Sequence, residues 1–295
     1  MPVLVFANPT SGRGRGVRLA DALLPRLAVA NFEATYWPNN PAIFDDAAAV
    51  AAAHAVIVIG GDGTLRAVID RLLDLVPGEL PPVLCVGFGT ANLMQRHLKL
   101  RYPKADPASR VVELLLAGHT KEVDVAVAGG QAFLLMTSVG YDAGVVHRLA
   151  AGRSGPITKL SYVLPAMMHL REQAYPAVTV TVDGKTVHDG LPAQVFVGNV
   201  AEYGTGFPVV DEADSTDGLL DVCVLPCSGH VQFAQLVLRI VRGGHRAAPG
   251  VVYERGRAVT ITSAVPLPVQ IDGDPAAFTP VELRLLPRRA RFIVP

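Results

Sequence analysis

Ala55-Val56-Ile57-Val58-Ile59-Gly60-Gly61-Asp62-Gly63-Thr64-Leu65 is the stretch on which the fold turns. A continuous run rich in β-branched residues reads as a strand buried on both faces, and Gly60-Gly61 ends it. From Leu65 to Val76 the spacing becomes helical, with Val68, Ile69, Leu72 and Leu73 on one face. The same strand–turn–helix grammar extends outward on both sides. Upstream, Val3 to Ala7 is a short apolar run. The loop Asn8-Pro9-Thr10-Ser11-Gly12-Arg13-Gly14-Arg15-Gly16 follows, and then helical spacing from Val17 to Ala28. Phe32 to Trp37 reads as a second strand, and the Ala-rich Ile43 to Ala53 as a helix. Downstream, Val83 to Val86 is another buried strand ending at Gly87-Phe88-Gly89, and a helix from Ser109 to Ala117 stops at Gly118. Repeated strand–loop–helix units predict crossovers around a parallel sheet, whose ligands bind outside the carboxyl ends of the strands. All three Gly-rich segments follow strands, so they are expected to converge on one edge of that sheet.

Beyond about Asp124 the texture changes. Val178–Val182, Val195–Val200, Leu219–Leu225, Ala258–Thr262, Leu267–Ile271 and Val281–Leu286 read as strands separated by Gly, Pro and Asp turns. Helical stretches near Ile157 to Gln173 and Val231 to Val241 interrupt them. The expectation is an α/β nucleotide-binding domain over residues 1–125 and a mainly antiparallel, β-rich domain over 126–295. A chain of 295 residues suits two domains better than one core.

Composition narrows the function classes. With 50% apolar and 18% charged residues the chain is a folded globular one. Twenty-six basic side chains balance 26 acidic ones, so no net field draws in nucleic acid, which is not an expected partner. Cys85, Cys223 and Cys227 form no CxxC pair and fit a reducing compartment. The start, Met1-Pro2-Val3-Leu4-Val5-Phe6-Ala7-Asn8, lacks the basic and long apolar regions of a signal peptide, and no segment approaches a membrane span. A cytoplasmic protein is expected.

Each Gly-rich segment has a chemical reading beside a purely structural one. In Asn8 to Gly16, glycines allow backbone amides close to an anion, the following helix adds its positive end, and Arg13 and Arg15 add charge; an ordinary strand-to-helix turn explains it as well. It is neither a Walker A loop nor GxGxxG. In Gly60 to Thr64, helix capping by Thr64 explains the hydroxyl but not three glycines around an acid. An acid beside a phosphate-binding turn makes sense if it orients or binds Mg²⁺. Gly87-Phe88-Gly89-Thr90-Ala91-Asn92 taken alone reads as a capped helix start, with Thr90 and Asn92 offering short polar contacts and Arg96 within reach of an anion.

Together the three segments resemble the catalytic domain shared by diacylglycerol kinases, sphingosine kinases and bacterial lipid kinases. That family carries Asn-Pro-x-Ser-Gly, Gly-Gly-Asp-Gly-Thr and Gly-Thr-x-Asn in this order. Gly-Gly-Asp-Gly alone is shared with NAD kinases and phosphofructokinases. The resemblance continues through Val139-Gly140-Tyr141-Asp142-Ala143, Gly198-Asn199 with Tyr203-Gly204-Thr205-Gly206, Ala213 to Asp221, and Gln270-Ile271-Asp272-Gly273-Asp274. It implies a phosphofructokinase-like α/β domain followed by a β-rich, sandwich-like domain, with the active site in the cleft. It also implies transfer of the γ-phosphoryl group of ATP to a lipid hydroxyl such as that of diacylglycerol, with ATP and Mg²⁺ as cofactors.

Carried onto this chain, the resemblance gives the phosphates to Asn8, Pro9, Thr10, Ser11, Gly12, Gly60, Gly61, Asp62, Gly63 and Thr64, with Thr90 and Asn92 completing the wall. Asp62 lies near the catalytic Mg²⁺, Asp124 in the cleft network, and Asp274 is the base for the lipid hydroxyl. Asp217, with backbone oxygens near Asp214 and Leu219, matches a structural Mg²⁺ site. By residue type alone, Asp272 and Asp274 read as a β-turn. The implied partners are a lipid alcohol and the inner face of a membrane, touched peripherally, with a homodimer left open; Ile157 to His169 is a candidate contact surface, although Leu160, Val163, Leu164 and Met167 read more simply as core. Four departures stand out: Arg66-Ala67 where Asn-Glu is usual, Leu93 where an acid is usual, Asp274 for glutamate, and Ser215-Thr216 where an extra acid is common. They keep a weakened lipid-binding pseudokinase open as an alternative, and the shared Gly-Gly-Asp-Gly turn keeps an NAD kinase-like enzyme open.

Overall fold

The computed structural model describes residues 1–37, 46–151, 175–201 and 208–295. The chain divides into two compact units, Met1–Val123 with Pro287–Pro295, and Asp124–Leu286. The division departs from the expected 126–295 at the end of the chain, because the last nine residues return to the first unit. Phe292 pairs in parallel beside Val83, and the Arg288 and Arg291 side chains donate to the carbonyls of Leu73, Val76 and Leu80.

In the first unit, β1 (Pro2–Ala7), β2 (Glu33–Trp37), β3 (Ala55–Gly60) and β4 (Val83–Gly87) form a parallel sheet in the order β4-β3-β1-β2. The apolar runs predicted this: every residue of β3 is buried, as is all of β1 after Pro2. The helices are α1 (Arg15–Val29), α2 (Ala47–Ala51), α3 (Asp62–Leu75), α4 (Leu93–His97) and α5 (Pro107–Ala117). Leu19, Leu23 and Leu27 form the buried stripe of α1, and Leu65, Val68, Ile69 and Leu72 that of α3. Residues 43–45 of the expected Ala-rich helix lie outside the described residues. α5 ends at Gly118, which has φ of 66° and donates its N–H to the Leu114 carbonyl.

The second unit is antiparallel. β5 (Thr120–Ala128) leads into it and pairs with β6 (Gln131–Phe133). One run of strands is ordered β14 (Asp274–Phe278), β13 (Pro268–Ile271), β7 (Met136–Val139), β9 (Lys185–Gly198), β10 (Leu220–Pro226) and β11 (Val252–Gly256). A second is ordered β9, β8 (Ala177–Val182), β12 (Ala258–Ser263) and β15 (Val281–Ile293). β9 serves both: Lys185 to Pro192 pair with β8, and Ala193 to Gly198 with β7 and β10. Alternation assigns the faces. Val195, Val197, Val222 and Val224 point into one core with Val180, Ile261 and Val269. Phe196, Cys223 and Leu225 point the other way, into a core shared with Leu236 and Ile240 of α7 (His230–Val241). A further helix, α6 (Tyr141–Ala151), follows β7. Ile157 to Gln173 and Tyr203 to Gly206 lie outside the described residues.

Candidate functional site

Because β1, β3 and β4 run parallel, their carboxyl ends at Ala7, Gly60 and Gly87 fall on one edge, and the three Gly-rich turns leave from there. The turns touch one another. Asn8 Nδ2 donates to Thr64 Oγ1 at 2.8 Å, while Asn8 Oδ1 accepts from the N–H and hydroxyl of Thr10 at 3.0 and 2.8 Å. The Phe88 N–H donates to the Gly60 carbonyl at 2.7 Å. Gly61 and Gly89 meet backbone to backbone: a Cβ on Gly89 would come within 2.7 Å of the Gly61 Cα. Gly12, with φ of 59°, backs onto the Phe88 side chain. The void behind these turns is about 10 Å³, room for one water at most, between Gly60, Asp62, Leu65, Cys85 and Gln95. What the turns offer a ligand is therefore their outer surface.

Thr64 does not cap α3. Gly61 is the N-cap, Asp62 is the first helical residue, and Thr64 sits within the first turn with its hydroxyl held by Asn8. The helix thus starts three residues earlier than its apolar spacing indicates, and its positive N-terminal end lies within the Gly-Gly-Asp-Gly-Thr turn.

Asp62 has a positioning task. Its two oxygens accept the N–H groups of Leu93 and Met94 at 3.0 and 3.1 Å, tying α3 to the start of α4. Burial pushes its pKa up, and these backbone hydrogen bonds pull it down. The Asn92 side chain closes its own turn, accepting from the Gly89 N–H at 2.7 Å and donating to the Gly89 carbonyl at 3.1 Å, with φ of 48°. Thr90 is exposed. Leu93 and Met94 are buried in the core, so the position where an acid was expected supplies a backbone amide instead.

The remaining expected site residues stand in the second unit. Asp124 is buried; its Oδ2 accepts the Gly218 N–H at 2.7 Å and its own N–H donates to the Ser215 carbonyl at 2.7 Å. It anchors the turn containing Asp214, Asp217 and Leu219. That turn is not arranged as a cation cage. Asp214 Oδ1 accepts from the N–H and hydroxyl of Thr216 at 3.0 and 2.8 Å. Asp217 Oδ1 accepts the Leu219 N–H at 3.0 Å, and Asp217 Oδ2 pairs with the Arg255 guanidinium. Among the described residues no cluster of three His, Cys, Asp or Glu side chains suits a metal ion. The Asp217 carboxylate, the one side chain expected to meet a structural Mg²⁺, is taken up here by the Leu219 N–H and Arg255. Nearby, burial raises the Asp221 carboxyl to about 6, although the Tyr253 hydroxyl that it accepts pulls the other way.

Asp274 opens β14, half-buried, opposite Ile271. Asp272 and Gly273 form the hairpin turn before it, with φ of 50° and 87°. Asp272 is more than a turn residue: its carboxylate accepts the N–H groups of Leu134, Leu135 and Met136, each at 2.9 Å. Sequence reasoning missed this anchor. It also missed Asn199, whose Nδ2 bridges the carbonyls of Asp124 and Leu134, and Gln194, which accepts the Tyr141 N–H. The available signal was a polar residue inside or at the end of an apolar strand, where burial demands a partner.

Comparison with known proteins agrees with this architecture. Residues 2–128 match the family model described as the diacylglycerol kinase catalytic domain, and residues 136–294 the YegS C-terminal NAD kinase beta sandwich-like domain. A diacylglycerol kinase of Staphylococcus carnosus is 23% identical over 275 residues, covering 92% of this chain and 87% of that protein. Among solved structures, a diacylglycerol kinase from Bacillus anthracis superposes with a TM-score of 0.69 at 21% identity, covering 100% of this chain and 97% of the other. An NAD kinase from Archaeoglobus fulgidus in complex with ATP gives 0.55 at 14%, covering 99% and 93%. The two model matches together span nearly the whole chain, which belongs to the diacylglycerol kinase catalytic-domain family, with a YegS-type β-sandwich as its second part.

Proposed function

We propose that the protein is an ATP-dependent lipid kinase that transfers the γ-phosphoryl group to the hydroxyl of a lipid alcohol, diacylglycerol being the first choice. The observation that carries this reading is the junction of the three turns: Asn8 bonded to Thr64, and Gly61 against Gly89. Three Gly-rich turns gathered on one sheet edge, with the positive end of α3 among them, suit a polyphosphate. Mg²⁺ bound with the nucleotide would supply the charge that neutralises its phosphates. Asn8 to Gly12, Gly60 to Thr64 and Thr90 bind and orient those phosphates, while Asp62 and Asn92 hold the turns in place.

In the transfer step the lipid hydroxyl oxygen forms the new P–O bond, and ADP leaves with the bridging oxygen. The hydroxyl proton passes to the Asp274 carboxylate as general base. Asp124 keeps the second unit's turn in place. No helix among the described residues is long and apolar enough to cross a membrane. Contact with the lipid is proposed to be peripheral.

The fold likeness to an NAD kinase supports a second reading, phosphorylation of NAD. Incubating the protein with γ-labelled ATP beside a panel of lipid alcohols, and in parallel beside NAD, separates the two. Label in a lipid phosphate and none in NADP is expected. Label in NADP alone would overturn the lipid reading, and no product from any acceptor would favour a binding protein.

A further inference from the structure

The turn from Ala213 to Leu219 brings carboxylates together where a divalent cation was expected, and a side chain of this chain meets them instead. Arg255 lies on β11 directly opposite Asp221 on β10. Its Nε is 3.3 Å from Asp221 Oδ1, and its terminal nitrogen pairs with Asp217 Oδ2. One guanidinium thus bridges two acids four residues apart, one in the turn and one in the strand that follows it. Asp221 is fully buried, and its Oδ2 accepts no hydrogen bond, so its charge is balanced through Oδ1, which also accepts the Tyr253 hydroxyl at 2.9 Å. The same face of β11 continues the network. The Arg246 guanidinium lies 3.9 Å over the Tyr253 ring and pairs with Glu212 and Asp211. From the other side, Asp124 fixes Gly218 and Ser215 by its own bonds.

We propose that Arg255 is a built-in cation for this turn: its guanidinium does for Asp217 and Asp221 what a divalent ion would do, so the second unit holds its Asp214–Asp221 turn without metal. A planar fork suits this role, because it offers separate donors to two carboxylates and stays charged at every working pH. Removing the charge would leave a buried carboxylate uncompensated and two acids facing an open position, which a small divalent cation would then fill. The inference stands whether or not the chain phosphorylates a lipid.

Thermal unfolding of the full chain without nucleotide, in excess MgCl₂ and in EDTA, tests it. The wild-type midpoint is expected to be the same in both. Arg255→Met should lower the midpoint in EDTA by about 2–4 °C, the shift expected from roughly 1 kcal/mol in a domain of this size, and MgCl₂ should restore it. Arg255→Lys should retain most of the wild-type midpoint and remain insensitive to Mg²⁺. Adding Asp217→Asn to Arg255→Met should abolish the rescue, which locates the ion at this turn. A wild-type midpoint that rises with Mg²⁺ would overturn the proposal. So would Arg255→Met that unfolds where the wild type does, or that Mg²⁺ fails to stabilise. If Arg255→Met does not fold, the wild-type comparison and Arg255→Lys decide: insensitivity to Mg²⁺ in both supports the built-in cation, and Mg²⁺ dependence in either contradicts it.

Discussion

Gly61 and Gly89 approach so closely that a Cβ on Gly89 would lie 2.7 Å from the Gly61 Cα. Gly89→Ala would force a methyl against backbone, which cannot swing aside, so the second and third turns must part. The expected result is an ATP dissociation constant raised about tenfold or more, since misplacing a positioning group by about 1 Å is costly. Titration calorimetry measures it, with circular dichroism unchanged because the fault is local. The convergence of the three Gly-rich turns was legible in the sequence, because each follows a strand of the parallel sheet. The use of Asp62 was not legible. A residue type says that an acid is present, whereas its two amide partners at Leu93 and Met94 come from an element 31 residues away. Arg255 escaped notice for the same reason, since its pairing with Asp217 and Asp221 depends on the register of β10 with β11.

At the scale of elements, the helices of the first unit were readable through their apolar stripes, and their ends through local chemistry where a stop residue was present. Gly118 is such a stop. It holds φ of 66°, where a Cβ is strained although no neighbouring atom crowds it. Gly118→Ala should therefore destabilise the protein by about 1 kcal/mol, the cost of a left-handed backbone for an L residue. A lower urea midpoint with an unchanged denaturant slope would show this. The start of α3 was misjudged because Asp62-Gly63-Thr64 carries no apolar residue to mark the helix. β9 was seen only from Val195 onward, since its first half, Lys185 to Pro192, is mostly exposed and carries no apolar alternation. β14 was missed because Asp274-Pro275-Ala276-Ala277-Phe278 lacks the β-branched signature of a strand and owes its form to the hairpin with β13.

At the scale of the molecule, the change of texture near Asp124 located the junction of the two units, but nothing in the final residues announces their return to the first. The last strand was expected to end at Leu286, whereas β15 runs on to Ile293 and Phe292 pairs beside Val83 of β4. The order of motifs along the chain carried the family, because three phosphate-type turns in sequence are far more specific than any one of them. The central claim is that this assembly moves a phosphoryl group onto a lipid hydroxyl, with Asp274 taking the proton. The most direct measurement is transfer of label from γ-labelled ATP to diacylglycerol in mixed micelles, by the wild type and by Asp274→Asn, with ATP binding measured on both. Labelled phosphatidate is predicted from the wild type, with turnover about 100-fold lower in Asp274→Asn at unchanged ATP affinity. Absence of labelled product from a folded, ATP-binding wild-type protein would contradict diacylglycerol as the acceptor, and near-wild-type turnover by Asp274→Asn would remove that residue from the proton transfer.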